Sequence, residues 1–205
     1  MHRHLRSETA LYVRLGQWNL NSSRPLDRKS ALSVPVKTSY VHHNHNSVTL
    51  DNDVALLRLS DAVPLDEPSI CLVCLPERGA QVEVGKRCTV TGYGYESESG
   101  PAALRVRQTD LPVVSDSDCQ NKTGSALGRS FTLPANSFCA GGELGQDACH
   151  GDGGSPLSCL HEDGYYELAG IVSWGYKCGN KDLPGLYARV SAFVSWINQI
   201  VSVNN

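Results

Sequence analysis

The period of the apolar residues constrains this chain most: they recur in short extended runs along nearly its whole length, and only the C-terminal segment follows a helical spacing. In residues 10–20, Leu11, Val13 and Leu15 fall on one side and Tyr12 and Arg14 on the other, the alternation of a half-buried strand. The polar stretch from Asn21 to Pro25 breaks it. Residues 31–41 form a second run, interrupted by Pro35; a polar loop from His42 to Asn46 and the run 51–59 follow. Residues 85–94 read as a strand ending in a glycine-punctuated turn, 104–114 as another, and 131–140 as extended chain. Residues 165–175 and 185–190 are apolar, β-branched and aromatic, as buried strands are. Between Cys119 and Arg129 the polar chain fits either a loop or a short helix. At the end the period changes. Ser191 is placed to N-cap a helix in which Val194, Ile197 and Val201, with Phe193 and Ile200, share one apolar face. Many short strands, turn signals between them and one terminal helix specify an all-β barrel or sandwich, and 205 residues suffice for one such domain.

Eight cysteines, with the sequons at Asn21 and Asn121, favour an oxidising, extracellular setting in which both asparagines are glycosylated. A net charge of -3 and the lack of a long single-sign run carry no basic surplus for nucleic acid or acidic membranes, so proteins are the expected partners. No apolar run approaches transmembrane length, and residues 1–6 lack the apolar core of a signal peptide. The expectation is a truncated chain whose complete form is secreted. His42, His43 and His45 invite a metal reading, but no Cys or acidic ligand stands at a recognisable spacing, so the loop is expected to be solvated and to hold no metal. Cys71-Leu-Val-Cys74 would suggest redox or zinc chemistry in a cytosolic βαβ protein, yet no second ligand pair and no βαβ pattern accompany it. No cofactor is expected.

Six motifs then occur in order: Asp51-Asn-Asp-Val-Ala-Leu-Leu, Thr91-Gly-Tyr-Gly, Phe138-Cys-Ala-Gly, Asp147-Ala-Cys-His-Gly-Asp-Gly-Gly-Ser-Pro-Leu157, Ser173-Trp-Gly and Pro184-Gly-Leu-Tyr. Together they resemble the catalytic domain of the trypsin and chymotrypsin family over essentially the whole chain. The resemblance implies a chymotrypsin-like pair of six-stranded β-barrels with a C-terminal α-helix. Residues 1–84 would be the remainder of an incomplete first barrel and the connection, and 85–205 the second barrel and helix, together one peptidase-like domain. Within the family the likeness is to masquerade-type serine protease homologues of arthropods, which carry glycine at the nucleophile position and often join the domain to upstream clip-type modules.

Hydrolysis by this family needs a hydroxyl that attacks, an imidazole that takes its proton and a carboxylate that fixes the imidazole. By resemblance Asp53 is the carboxylate, while the nucleophile's place holds Gly153, which has no side chain to attack with. The family carries its histidine ahead of the strand at Leu11, in a segment expected to precede this chain; His2 and His4 lack its flanking residues and are read as bystanders. Ser155 precedes Pro156 and lies two residues past the presenting turn, so it reads as a replacement for glycine rather than a displaced nucleophile.

Binding apparatus remains. The N–H groups of Gly151 and Gly153 can form the oxyanion-hole turn, which uses no side chain. Asp147 matches the base of the specificity pocket, with Ser173, Trp174, Gly175 and Gly185 along its walls, so the pocket is expected to hold an Arg or Lys side chain without cutting beside it. Asp152 matches the carboxylate that pairs with a new N-terminal ammonium; without that terminus the resemblance implies an unpaired buried charge and a mobile, zymogen-like rim. It also implies the disulfides Cys88–Cys159, Cys119–Cys139 and Cys149–Cys178, and assigns Cys74 to a tether with the upstream module. Cys71 has no assignment. The expected function is that of a non-catalytic homologue acting by protein binding, in extracellular adhesion and development or as a cofactor in the protease cascades of innate immunity. The competing reading is an active trypsin-like endopeptidase that cuts after Arg or Lys.

Overall fold

In the computed structural model, which describes residues 10–21 and 31–204, two antiparallel sheets carry the chain and a C-terminal helix packs across both. His2, His4 and the Ser22 and Ser23 positions of the first sequon lie outside the described residues. Strands β1 (Tyr12–Leu15), β2 (Leu32–Val41) and β3 (Ala55–Leu59) form the first sheet in that order, with Val13 opposite Val34 and Tyr40 opposite Leu56. Pro35 does not end β2. It lies where the strand passes from β1 to β3 as partner, just before a register shift between Val36 and Thr38, a place where a missing N–H is tolerated.

The second sheet closes on itself. Strands β4 (Arg87–Gly92), β5 (Arg107–Val114), β6 (Ser137–Gly141), β7 (Pro156–Leu160), β8 (Tyr166–Trp174) and β9 (Pro184–Arg189) form a barrel in the order β4-β5-β6-β9-β8-β7, with β7 pairing back onto β4. Alternate residues point inward, so Val90, Leu111, Val113, Phe138, Ala140, Leu157, Ala169 and Tyr187 fill the interior. Gly170 is fixed by this packing: a Cβ there would lie 2.9 Å from the Phe138 ring and 3.0 Å from Tyr187 Cβ. Cys88 opposes Cys159 across the closing seam and is bonded to it.

Helix α1 (Asp116–Leu127) occupies the stretch compatible with loop or helix, and it begins before Cys119. Ser115 caps it, its hydroxyl accepting the Asp118 N–H at 3.1 Å, and Gly128 ends it at a φ of 64°. Cys119, buried on this helix, is bonded to Cys139 on β6.

Helix α2 (Val190–Asn204) corrects two expectations. Ser191 is not its cap: it lies within the helix, and its hydroxyl donates to the Ala80 carbonyl at 2.7 Å. Val201 is 48% exposed, whereas the docked face is Val190, Phe193, Trp196, Ile197 and Ile200, packed against Val54, Ala188, Tyr40, Leu56 and Ile171. The two large aromatic rings rotate the buried stripe away from Val201. This shared cluster holds the first sheet against the barrel, where residues 51–53 meet Ala135, Asn136 and Ser173.

Candidate functional site

The loop between β6 and β7 is organised by one carboxylate. Asp152, buried in residue terms, accepts the Gly94 N–H at Oδ1 (2.7 Å) and the Cys149 N–H at Oδ2 (2.9 Å). Around it the Asp152 N–H donates to the Cys149 carbonyl and the Ser155 N–H to the Asp152 carbonyl, closing two successive turns. The loop is stitched to β8 by the Gly154 N–H to the Val172 carbonyl and the Val172 N–H to the Ser155 carbonyl, each 2.9 Å. This geometry explains the Thr91-Gly-Tyr-Gly motif: a Cβ at Gly92 would sit 1.9 Å from Asp152 Oδ1, and one at Gly94 2.4 Å from Oδ2. The expectation of an unpaired Asp152 is therefore corrected. Two backbone N–H donors hold the carboxylate.

The residues at the family's carboxylate position form a second group. Asp53 Oδ2 accepts the Ser173 hydroxyl at 2.8 Å, across from β8. His45 Nδ1 lies 3.8 Å from Asp53 Oδ1, with the imidazole side chain only 6% exposed, and 3.3 Å from the Asn52 carbonyl. The neighbouring Asn52 has a φ of 54°, which asparagine tolerates; its side chain accepts from Asn136 and donates to the Asn44 carbonyl, while Asp51 accepts the Ala135 N–H. The histidine loop is exposed at His43, Asn44 and Asn46, as expected, but His42 and His45 are partly buried against the fold. His42 stacks on His43 at 4.5 Å and meets Phe193 and Trp196 edge-on at 5.3 and 5.0 Å, and its burial, with the neighbouring His43 and His45, holds its imidazole below the ordinary value. Sequence reasoning missed the His45 contact because loop residues eight apart carry no periodic signal.

Beside Asp152 a cavity of about 310 Å³ opens, lined by Asp147, Gly151, Gly153, Trp174, Gly185 and Tyr187 among others. The Cys149–Cys178 disulfide closes one wall. Asp147 Oδ2 accepts the Gly179 N–H at 3.1 Å, but among the described residues the enclosed Asp147 Oδ1 and the enclosed Tyr187 hydroxyl have no hydrogen-bond partner. Burial pushes the Asp147 carboxyl up to about 6, against the pull of the Gly179 and Ala148 N–H groups, with the Asp152 charge adding to the rise. Burial likewise raises Tyr187, whose hydroxyl stays a neutral donor. Gly185 is needed here, since a Cβ would stand 3.2 Å from Asp147 Oδ1, while Gly175 borders open space.

Gly151 has a φ of 96°, and a Cβ there would come within 3.3 Å of Gly94 Cα. Among the described residues the N–H groups of Gly151 and Gly153 have no intramolecular partner. An added Cβ at Gly153 would meet nothing within 4 Å. Ser155 is turned elsewhere: its Oγ lies under the strand near Gly92, 2.9 Å from the Cβ position there, and it does not line the cavity.

Away from the cleft, Cys71 and Cys74 are exposed free thiols, and Cys74 is fixed in the backbone by the Cys74 N–H to the Tyr166 carbonyl and the Leu168 N–H to the Cys74 carbonyl. Asn121 is exposed on α1, whereas Thr123 of the same sequon is buried. Among the described residues no three metal-ligating side chains are grouped to hold an ion, and no helix is long and apolar enough to cross a membrane.

A family model described as trypsin matches residues 3–197. The chain is 55% identical over 201 residues to protein masquerade of Drosophila melanogaster, covering 98% of this chain and 19% of that protein. It is 44% identical to inactive CLIP domain-containing serine protease A3 of Aedes aegypti, covering 95% of this chain and 41% of the relative. It is 36% identical to phenoloxidase-activating factor 2 of Galleria mellonella, covering 94% of this chain and 64% of the relative. The chain thus spans less than two thirds of the length of each of these three proteins.

Proposed function

The chain belongs to the trypsin family, and we propose that it works as a non-catalytic member whose cleft binds protein partners through a basic side chain instead of cutting them. One observation carries this reading. The cavity is lined by Asp147, a half-buried carboxylate with no cationic partner among the described residues, while the position from which the family's nucleophile attacks is Gly153, open to empty space. An Arg or Lys head group in the cavity would offset the charge of the Asp147 carboxylate that lines it, and a carboxylate that deeply placed is costly without such a partner. Removing the serine of such a catalytic unit lowers turnover by about a million-fold, so Gly153 by itself is sufficient for the loss.

The names of the relatives support the reading: masquerade, an inactive CLIP-domain protease and a phenoloxidase-activating factor. Three disulfides fit a secreted protein acting outside the cell, either in adhesion or in a protease cascade. The exposed Cys74 is positioned to tether an upstream module, and Asn21 and Asn121 are the acceptors for glycans.

Calorimetry with benzamidine tests the pocket. Binding heat is expected for the full chain and is lost in Asp147→Ala; equal heat for both, or none for either, ends the idea. A fluorophosphonate probe tests the chemistry in parallel. No covalent label is expected, and a label on Ser155 would make the chain an enzyme.

A further inference from the structure

The cavity at Asp147 has two chemically different ends. Among the described residues Asp147 is the one acidic side chain lining it, whereas Lys177 and His150 line it from exposed positions. The exposed Gly151 and Gly153 add two N–H donors that no group of the chain occupies among the described residues. A single basic side chain answers only the inner, acidic end. The exposed part of the lining, with two N–H donors and the Lys177 ammonium, calls for an anion.

Resting on the reading of Asp147 as the seat of a basic side chain, we propose that the preferred ligand is a free C-terminal arginine or lysine, the new end that a trypsin-like cut leaves on a protein. Its side chain would run to Asp147 and its α-carboxylate would lie against the Gly151 and Gly153 N–H groups. An internal peptide carbonyl brings one neutral oxygen to those donors; a C-terminal carboxylate brings two charged ones. The second oxygen needs room beside residue 153, and there an added Cβ would meet nothing within 4 Å. Loss of the nucleophile's side chain has therefore done more than remove an attacking atom: it has opened the space in which a cleavage product's carboxylate fits. The chain would then act downstream of a hydrolysis reaction that supplies its ligand, recognising cut proteins and ignoring uncut ones.

Calorimetry on the full chain with three peptides of one sequence tests this, the first ending in Arg with a free carboxylate, the second in Arg carboxamide, the third extended past the Arg by two residues. The free acid is expected to bind at least tenfold tighter than either of the others, about 1.4 kcal/mol. In Gly153→Ser, whose hydroxymethyl group enters the open space, that preference shrinks while thermal unfolding confirms the fold. Equal affinity for the three peptides, or tightest binding of the extended one, overturns the proposal. Benzamidine measured alongside separates the two failures: if it binds while the peptides are equal, only the carboxylate reading falls, and if it gives no heat the basic-pocket reading falls with it.

Discussion

Gly92→Ala is expected to destabilise the fold by about 3–5 kcal/mol and to abolish benzamidine binding. The added Cβ would lie 1.9 Å from Asp152 Oδ1, 2.8 Å from its Cγ and 2.9 Å from Ser155 Oγ. At Gly92 the backbone of β4 is paired with Arg107 of β5, and two residues earlier Val90 is paired with β7 as well, so the carboxylate yields before the strand does. Moving it breaks the bonds from the Gly94 and Cys149 N–H groups, each worth roughly 1.5–3 kcal/mol when the acceptor is charged. Overpacking of a tight site adds about 1–3 kcal/mol, although some relaxation will offset part of the sum. The pocket should fail with the fold's local order, because Cys149, Gly151 and Gly153 all hang from turns closed on Asp152. Urea unfolding and calorimetry check both parts. A loss under about 1 kcal/mol with benzamidine still bound would mean that Asp152 is not what holds the loop.

Asp147→Asn is expected to act in the opposite direction, raising stability at pH 7.5 by roughly 2–3 kcal/mol with the gain vanishing near pH 4. Burial places the folded-state carboxyl near 6 against an ordinary 3.8, and a rise of about two pH units corresponds to roughly 3 kcal/mol. Because this folded-state value is raised for an acid, the charged form is what the fold disfavours. Below about pH 4 the carboxyl is protonated both folded and unfolded, and the substitution removes no charge. Between about 4 and 6 the unfolded chain ionises first, and above about 6 the folded chain carries the whole cost. Thermal unfolding of both proteins across that range measures the difference. A constant difference, or an amide variant less stable at pH 7.5, would show that the carboxylate is compensated within the chain. The same proton sets the ligand's pH dependence. Benzamidine needs the ionised form, so its affinity should fall by about tenfold for each pH unit below 6.

Much of the architecture was legible because β periodicity is local. The alternation in residues 10–20 and the apolar runs at 165–175 and 185–190 mark where β1, β8 and β9 stand. The trypsin-like motifs anticipated the barrel, and the three implied disulfide pairs are those the structure joins. What was illegible depended on packing. Helix α1 is polar on most of its surface and gave no stripe, although Ser115 with Asp118 three residues on and Gly128 at the end were its boundary signals. In α2 the helical period was visible but its rotation was not, since Phe193 and Trp196 choose the docked face only when the first sheet and the barrel are both present to receive them.

The sequence alone placed at residue 153 a glycine that no conformation can give a hydroxyl; the apolar period specified an all-β domain, and the six motifs added, by resemblance, its trypsin-like character and its disulfides. The tertiary structure decided what the two aspartates of the loop became. Asp152 and Asp147 are five residues apart and identical in sequence terms, yet one carboxylate is held by the N–H of a glycine 58 residues away and the other keeps an enclosed oxygen without a donor. Whether a buried charge is satisfied depends on which backbone groups distant segments bring within about 3 Å, and backbone donors leave no mark on the sequence. That difference makes Asp152 a structural anchor and leaves one oxygen of Asp147 unsatisfied among the described residues.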